Sequence, residues 1–333
     1  MIKKLINNKG GLHNRVTKFI KLKPFNLAET KKYLNHHKIQ LTDRQYLQIY
    51  MTLGGVPFYL KQLEKNKSYA ENINSICFSE QGVLQDEFSR LFSSLFGSSG
   101  NHTRIAEFLA TKNSGYTKSE IATAELQSSG GGLKSTLNEL EEAGFIAGYS
   151  TIYNKKKDVL YRIIDEFTIF YFKWMQKRKD KGWKNAQENW WLKQMQTPQF
   201  AIWSGLAFEA VCLKHVKQIQ KKLGLNHILY DVGNWRFLPK KGDSKENGAQ
   251  IDLIFDREDD CINICEIKFT KESFKIEKKY SDELRNKISV FAEKTRTKKK
   301  LFLTLICTNK FVETKWSEDL VSQVIMSEDL FED

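Results

Sequence analysis

Four residues in the C-terminal part of the sequence have types and spacing suited to chemistry on phosphate. Asp252 interrupts the apolar run AQIDLIFD, and Glu266 and Lys268 interrupt the end of a second run, CINICEIKF. If both runs are strands, Glu266 and Lys268 stand at i and i+2 and share one face. A hairpin between the runs sets Asp252 beside Glu266. Two carboxylates at a strand end form a hard-oxygen site of the kind that Mg²⁺ or Mn²⁺ prefers. A neighbouring lysine can orient or activate water, or offset charge developing on a phosphate. Glu209, on the helix expected to precede these strands, is the fourth candidate. The competing reading is an ion pair at a strand end with no catalytic role.

The elements that must position these residues are legible around them. A helix is predicted over WSGLAFEAVCLKHVKQIQKKLG, then short strands around 228–230 and 235–238. The two buried strands follow, separated by the acidic turn Arg257-Glu258-Asp259-Asp260. A long basic helix over about 280–298 leads to a last strand, LFLTLICT. Thirteen residues lie between Asp252 and Glu266. Ile251-Asp252-Leu253 and Glu266-Ile267-Lys268, set in this αβββαβ order over residues 203–307, resemble the PD-(D/E)XK nuclease-like fold. The resemblance implies metal-dependent phosphodiester hydrolysis. Asp252 and Glu266 would hold the metal, Lys268 would assist the attacking water, and Glu209 would support the site. It equally admits a fold kept after the activity is lost.

Upstream, residues 24–65 read as short helices. Asn26 with Glu29, and Thr42 with Gln45, have capping-box spacing. Leu47, Tyr50 and Met51 fall on one helical face, and Gly54-Gly55-Val56-Pro57 ends that helix. Pro57 suits the first turn of the next. Residues 98–165 carry a helix with Ile105, Phe108 and Leu109 on one face, a capping box at Thr117 and Glu120, and a third helix with Leu133, Leu137 and Leu140. A hairpin follows, with a basic tip at Asn154-Lys155-Lys156-Lys157-Asp158. That order is the order of a winged helix-turn-helix. Lys134, Ser135 and Asn138 would then face the major groove, and Lys155, Lys156 and Lys157 the phosphates. A protein-packing role is the alternative, favoured by Glu139, Glu141 and Glu142, which repel phosphate. The aromatics of 166–202 read as core rather than a stacking platform. Gly130–Thr136 (GGGLKST) is not a phosphate loop, because Leu133 separates glycine from lysine and no strand precedes it.

Composition bounds the rest. The chain has 333 residues, a net charge of +13, 41% hydrophobic and 28% charged residues. It is long enough for two or three domains and too apolar for disorder. No apolar run reaches the ~18 residues of a transmembrane helix, and the N-terminus MIKKLINNKGG lacks a signal peptide's apolar stretch. Five sparse cysteines argue against a disulfide framework or zinc ribbon and for a reducing cytoplasm. Residues 1–40 hold ten Lys/Arg and one acid, and residues 271–300 eleven against five. Such clusters favour a polyanion partner, though they carry no sequence specificity.

Three segments together resemble the C-terminal part of the archaeal-type ATPase family, a P-loop AAA+/STAND-like group. They are Asn8-Lys9-Gly10-Gly11-Leu12-His13-Asn14-Arg15-Val16-Thr17, Leu22-Lys23-Pro24-Phe25-Asn26-Leu27-Ala28-Glu29-Thr30 and Tyr50-Met51-Thr52-Leu53-Gly54-Gly55-Val56-Pro57-Phe58-Tyr59-Leu60. The resemblance implies a multidomain α+β chain. An ATPase remnant with helical lid would occupy 1–75, a winged helix-turn-helix 76–165, an aromatic and basic connector 166–202, and an α/β restriction-endonuclease-like domain with mixed sheet 203–333. The family's nucleotide-binding strand, phosphate loop and Mg²⁺-binding acid would lie before Met1. ATP is therefore expected only through a missing or partner P-loop domain, with Arg15 as a nucleotide sensor in trans. The expected partners are DNA and an ATPase chain or a second copy, with no membrane. The alternative is a non-catalytic DNA- or partner-binding regulatory fragment, or the downstream half of a split or truncated ATPase.

Overall fold

The N-terminal helices begin where short polar side chains satisfy the free N–H groups of the first turn. Helices α1 (Leu27–His36) and α2 (Asp43–Leu53) start at the capping boxes Asn26/Glu29 and Thr42/Gln45. Burial of α2 is wider than one stripe, because Tyr46, Ile49 and Leu53 are buried along with Leu47, Tyr50 and Met51. Gly54 at φ 64° ends α2, and Pro57 opens α3 (Pro57–Leu60). Helices α4 (Tyr69–Ile73), α5 (Glu87–Phe96) and α6 (Gly100–Leu109) follow. The computed structural model describes residues 18, 20–97, 100–112, 114–124, 130–153, 159–180, 189–237 and 248–332. Arg15, Lys155, Lys156, Lys157 and the whole Asn8-to-Thr17 segment lie outside the described residues.

The middle of the chain builds a three-stranded antiparallel sheet of β1 (Tyr116–Thr117), β2 (Ile146–Ser150) and β3 (Val159–Ile163), ordered β1-β3-β2. Helix α7 (Lys118–Thr123) starts at the Thr117/Glu120 capping box. Helix α8 (Gly130–Glu142) buries Leu133, Leu137 and Leu140. Then come α9 (Glu166–Phe170), a π-helical turn over Tyr171–Met175, α10 (Gln176–Asp180) and α11 (Trp190–Gln194). The aromatics here are core. Trp191 stacks on Phe78 and meets Phe170, Trp174, Phe200 and Trp203 with rings near perpendicular, which favours the ring quadrupoles.

The expected single helix over 203–224 is two. Helix α12 (Pro198–Lys214) breaks at His215 before α13 (Val216–Lys222). His215, 1% exposed, donates from Nδ1 to the Val211 carbonyl at 2.8 Å, and its Nε2 accepts the Leu27 N–H at 3.1 Å. It thereby ties α12 to the start of α1. The bond from Leu27 needs the neutral ring, since a protonated Nε2 cannot accept, and burial holds the pKa down at about 4. An unfolded histidine takes up its proton near pH 6.5, so between those values the unfolded state binds more protons. Stability should then fall with acidification by up to roughly 3 kcal/mol. In urea melts from pH 7 to 4.5, wild type should lose stability more steeply than His215→Gln. Parallel slopes would refute the assignment.

The two short strands expected around 228–238 are one, β4 (Tyr230–Phe237); residue 238 lies outside the described residues. It pairs antiparallel with β5 (Ala249–Arg257), which pairs antiparallel with β6 (Cys261–Lys268). Next come β7 (Phe274–Lys275), α14 (Lys278–Thr295), β8 (Lys300–Cys307), β9 (Phe311–Val312) and β10 (Val321–Met326). The main sheet has five strands in the order β10-β8-β6-β5-β4, mixed because β6, β8 and β10 run parallel. The structure is thus mixed α and β. A buried cluster running from Leu27 to Leu330 covers one face of this sheet, with Phe208, Val211 and Cys212 of α12 against Leu253 and Cys265. A second cluster, with Leu284 and Phe291 of α14 against Ile254 and Ile264, covers the other. All five cysteines are unpaired. Among the described residues no helix is long and apolar enough to cross a membrane.

Candidate active site

Three features of the sheet set the charged residues of β5 and β6 at the same end of neighbouring strands. The β5–β6 ladder runs from Asp256–Ile262 to Leu253–Cys265, so Asp252 and Glu266 are the next residues on their strands. Beyond that point β6 stays paired with β8 through Lys268–Cys307. On its other side, β5 slips register by one. Gly233 faces Ile254 and Trp235 faces Ile251, leaving Asp252 and Leu253 both opposite Asn234. A bulge of this kind re-aims a side chain at the end of a ladder, and here the residue concerned is Asp252. Gln250 donates from Nε2 to Asp252 Oδ1.

Glu266 is held on both oxygens. The Tyr280 hydroxyl donates to Oε1 at 2.6 Å and Lys287 Nζ to Oε2 at 2.6 Å, while Lys268 Nζ lies 3.1 Å from Oε1. Burial pushes this carboxyl up, but Lys287 and Lys268 outweigh it and hold it below the usual range. Burial and the Glu266 charge together push the Tyr280 phenol far up, so it stays a donor. Lys268 also sits 4.8 Å above the Tyr280 ring.

Glu209 comes from the opposite face of the sheet, on α12, and its partner is Arg162 Nη1 of β3 at 3.1 Å. Arg162 is 4% exposed and Glu209 13%. Burial, then the charge of Asp252, raises the Glu209 carboxyl well above the usual carboxylate range; Arg162 opposes this and Glu266 adds to it. Glu209 therefore feels the charges of Asp252 and Glu266. A bound cation would relieve the repulsion that raises Glu209. Among the described residues, however, no three His, Cys, Asp or Glu side chains stand together closely enough to hold a metal ion. The donor chemistry, carboxylate oxygen only, suits Mg²⁺ or Mn²⁺. Arg162 engages Glu209, and Tyr280 and Lys287 engage Glu266.

Sequence reasoning named Glu209, Asp252, Glu266 and Lys268 as candidates and did not name Tyr280, Lys287 and Arg162, which contact them. A signal for two of these was present. Tyr280, Leu284, Lys287 and Phe291 recur at i, i+4, i+7 and i+11, so two polar residues lie on the core face of α14. Lys134, Ser135 and Asn138 are exposed on α8, far in the chain from this cluster. Ser135 donates to Glu139 Oε1 at 2.9 Å, and His102 Nε2 lies 2.9 Å from Glu139 Oε2, so that helix presents paired acid beside its lysine. With the geometry in view, comparison with family models, with curated proteins and with solved structures finds no match to this chain.

Proposed function

We propose that this chain is a DNA-associated protein whose C-terminal portion is restriction-endonuclease-like and cleaves phosphodiesters with Mg²⁺ or Mn²⁺. The observation that carries the reading is the placing of Asp252 and Glu266 as the next residues on neighbouring strands where the β5–β6 ladder ends, with Lys268 Nζ 3.1 Å from Glu266 Oε1. Asp252 and Glu266, joined by Glu209, would hold the ion. When bound, such an ion lowers the pKa of a water and offsets charge on the phosphate. Lys268 is partly exposed and anchored by Glu266, placed to orient the attacking water or to face the developing negative charge. Tyr280 and Lys287 fix the Glu266 carboxylate from α14. Lys278, Lys279 and Arg285 on the same helix are exposed and supply a basic surface beside the site.

The upstream half supports membership of the archaeal-type ATPase family, with a helical lid and a winged helix-turn-helix. The support lies in the two capping boxes, the Gly54-Gly55 turn and the α6, α7, α8, β2, β3 order. ATP would enter only through a P-loop domain on another stretch of chain or another protein.

Purified protein should nick or cut DNA with Mn²⁺, and Asp252→Asn should lose at least about a hundredfold of that rate. Equal cutting by both proteins would refute the site. A second reading is favoured by the full engagement of both Glu266 oxygens by protein donors. It makes the chain a DNA- or partner-binding regulator, and predicts salt-dependent DNA binding with no cleavage under any divalent metal.

A further inference from the structure

The cluster around Glu266 holds more positive charge than its carboxylate needs. Three other largely buried carboxylates, Glu166, Glu209 and Asp256, each have one cation: Lys214 at 2.7 Å, Arg162 at 3.1 Å and Lys299 at 2.7 Å. Glu266 has two, Lys287 at 2.6 Å from Oε2 and Lys268 at 3.1 Å from Oε1, and the Tyr280 hydroxyl besides, at 2.6 Å. One lysine makes a neutral pair. The second leaves a surplus positive charge in a partly buried place, which is unfavourable unless an anion meets it.

The two ammonium groups come from different elements, β6 and α14, and meet through this one carboxylate. Because they lie against its separate oxygens, the carboxylate sets their spacing, and two oxygens of a phosphate would meet them from the solvent side at nearly that spacing. Each ammonium has three N–H donors, and Glu266 is the one acidic partner of either among the described residues. The Lys268 and Lys287 side chains are 34% and 25% exposed against 11% for Glu266, so the carboxylate lies beneath and the spare donors face outward. The Tyr280 ring, 4.8 Å from Lys268 Nζ, further limits where that ammonium can go.

We propose that Lys268 and Lys287, spaced by Glu266, form a clamp for one phosphate of a nucleic-acid backbone, with Glu266 as the positioning residue of the two lysines. The clamp needs no metal ion. It rests on the DNA association common to both readings above and is indifferent to cleavage. It also gives a reason for protein donors on both Glu266 oxygens, which a metal ligand would leave open. Lys278, Lys279 and Arg285 are exposed on the same helix, but so are Asp282 and Glu283, so the helix surface alone offers little net attraction and the paired lysines must supply the grip.

Binding of a short DNA duplex to the full chain, followed by fluorescence anisotropy in EDTA over a series of salt concentrations, tests the clamp. Each phosphate that the protein neutralises adds about 0.9 to the slope of log K against log[salt]. With one shared phosphate, Lys268→Met and Lys287→Met should each weaken binding about three- to tenfold at a nearly unchanged slope, because the remaining lysine still covers it, and the double variant should lose about 0.9. Slope losses of about 0.9 for each single and about 1.8 for the double would put the lysines on separate phosphates and overturn the clamp. Unchanged binding by all three variants would overturn it while DNA association survives elsewhere on the chain. Absence of binding by wild type would end the DNA reading and the clamp together. The double variant leaves Glu266 with Tyr280 alone and is the one most open to misfolding, so amine labelling of wild type gives an independent reading. Saturating duplex should slow acylation of Lys268 and of Lys287 by at least about threefold each. Protection of only one, or of neither, overturns the clamp. Protection of both by inorganic phosphate but not by the duplex would overturn the nucleic-acid assignment.

Discussion

Lys268→Ala is expected to reduce Mn²⁺-dependent phosphodiester cleavage at least about a hundredfold while leaving the fold intact. The two halves of this expectation have separate causes. Removing Lys268 leaves Glu266 paired with Lys287 and Tyr280, each at 2.6 Å, so no buried charge is orphaned. Its own pair with Glu266 is partly solvent-exposed, and loss of such a pair costs within about 1 kcal/mol. The ammonium is nonetheless the cation in this cluster anchored on the same strand as Glu266 and open to solvent, where a substrate phosphate would approach. A charge that faces the transition state loses its effect on rate when removed, whatever its effect on stability. Single-turnover cleavage and a urea melt on the same preparation separate the two. A variant that cuts like wild type would remove Lys268 from the mechanism, and the nuclease reading with it.

How much of this could be read beforehand follows from the range of each interaction. The capping boxes at Asn26, Thr42 and Thr117 were legible because both partners lie within one turn. Strands β5 and β6 were legible because burial on both faces leaves near-continuous apolar runs, in which Asp252 and Glu266 stand out. The break at His215 was not, because the bond that holds it comes from Leu27, 188 residues away in the chain. Strand β10 was missed for a different reason. Its sequence VSQVIM is short, polar in the middle and lies at the sheet edge, so neither alternation nor a continuous apolar run marks it. Arg162 was invisible for the same cause as His215, being a surface-type residue made internal by a partner 47 positions on.

The largest stability loss is expected from Gly55→Ala, a change of one methyl group. Gly54 and Gly55 look alike in the sequence, but their constraints differ. Gly54 ends α2 at φ 64° and ψ −164°, a conformation open essentially to glycine, and a Cβ there would also meet Glu166 Oε2 at 2.7 Å. Glu166 is a buried side chain paired with Lys214, so the obstacle at Gly54 is the end of a side chain. At Gly55 the obstacle is main chain. A Cβ would lie 1.9 Å from the Phe25 carbonyl oxygen and 2.6 Å from its carbon and nitrogen. Relief requires the 25–26 segment to withdraw, and three bonds depend on its position. The Phe25 N–H donates to the Gly55 carbonyl at 2.8 Å, the Tyr50 hydroxyl donates to the Phe25 carbonyl at 3.1 Å, and Asn26 caps α1. Overpacking costs of about 1–3 kcal/mol then add to the loss of a buried hydrogen bond and a cap. A total of at least about 3 kcal/mol is expected in equilibrium urea unfolding. Gly205→Ala provides the contrast within the same protein. It lies inside α12 with nothing within 4 Å of a Cβ, so alanine should raise stability by roughly 0.5–1 kcal/mol. If the two substitutions shift the unfolding midpoint alike, the close passage of Phe25 over Gly55 is not a feature of the native state.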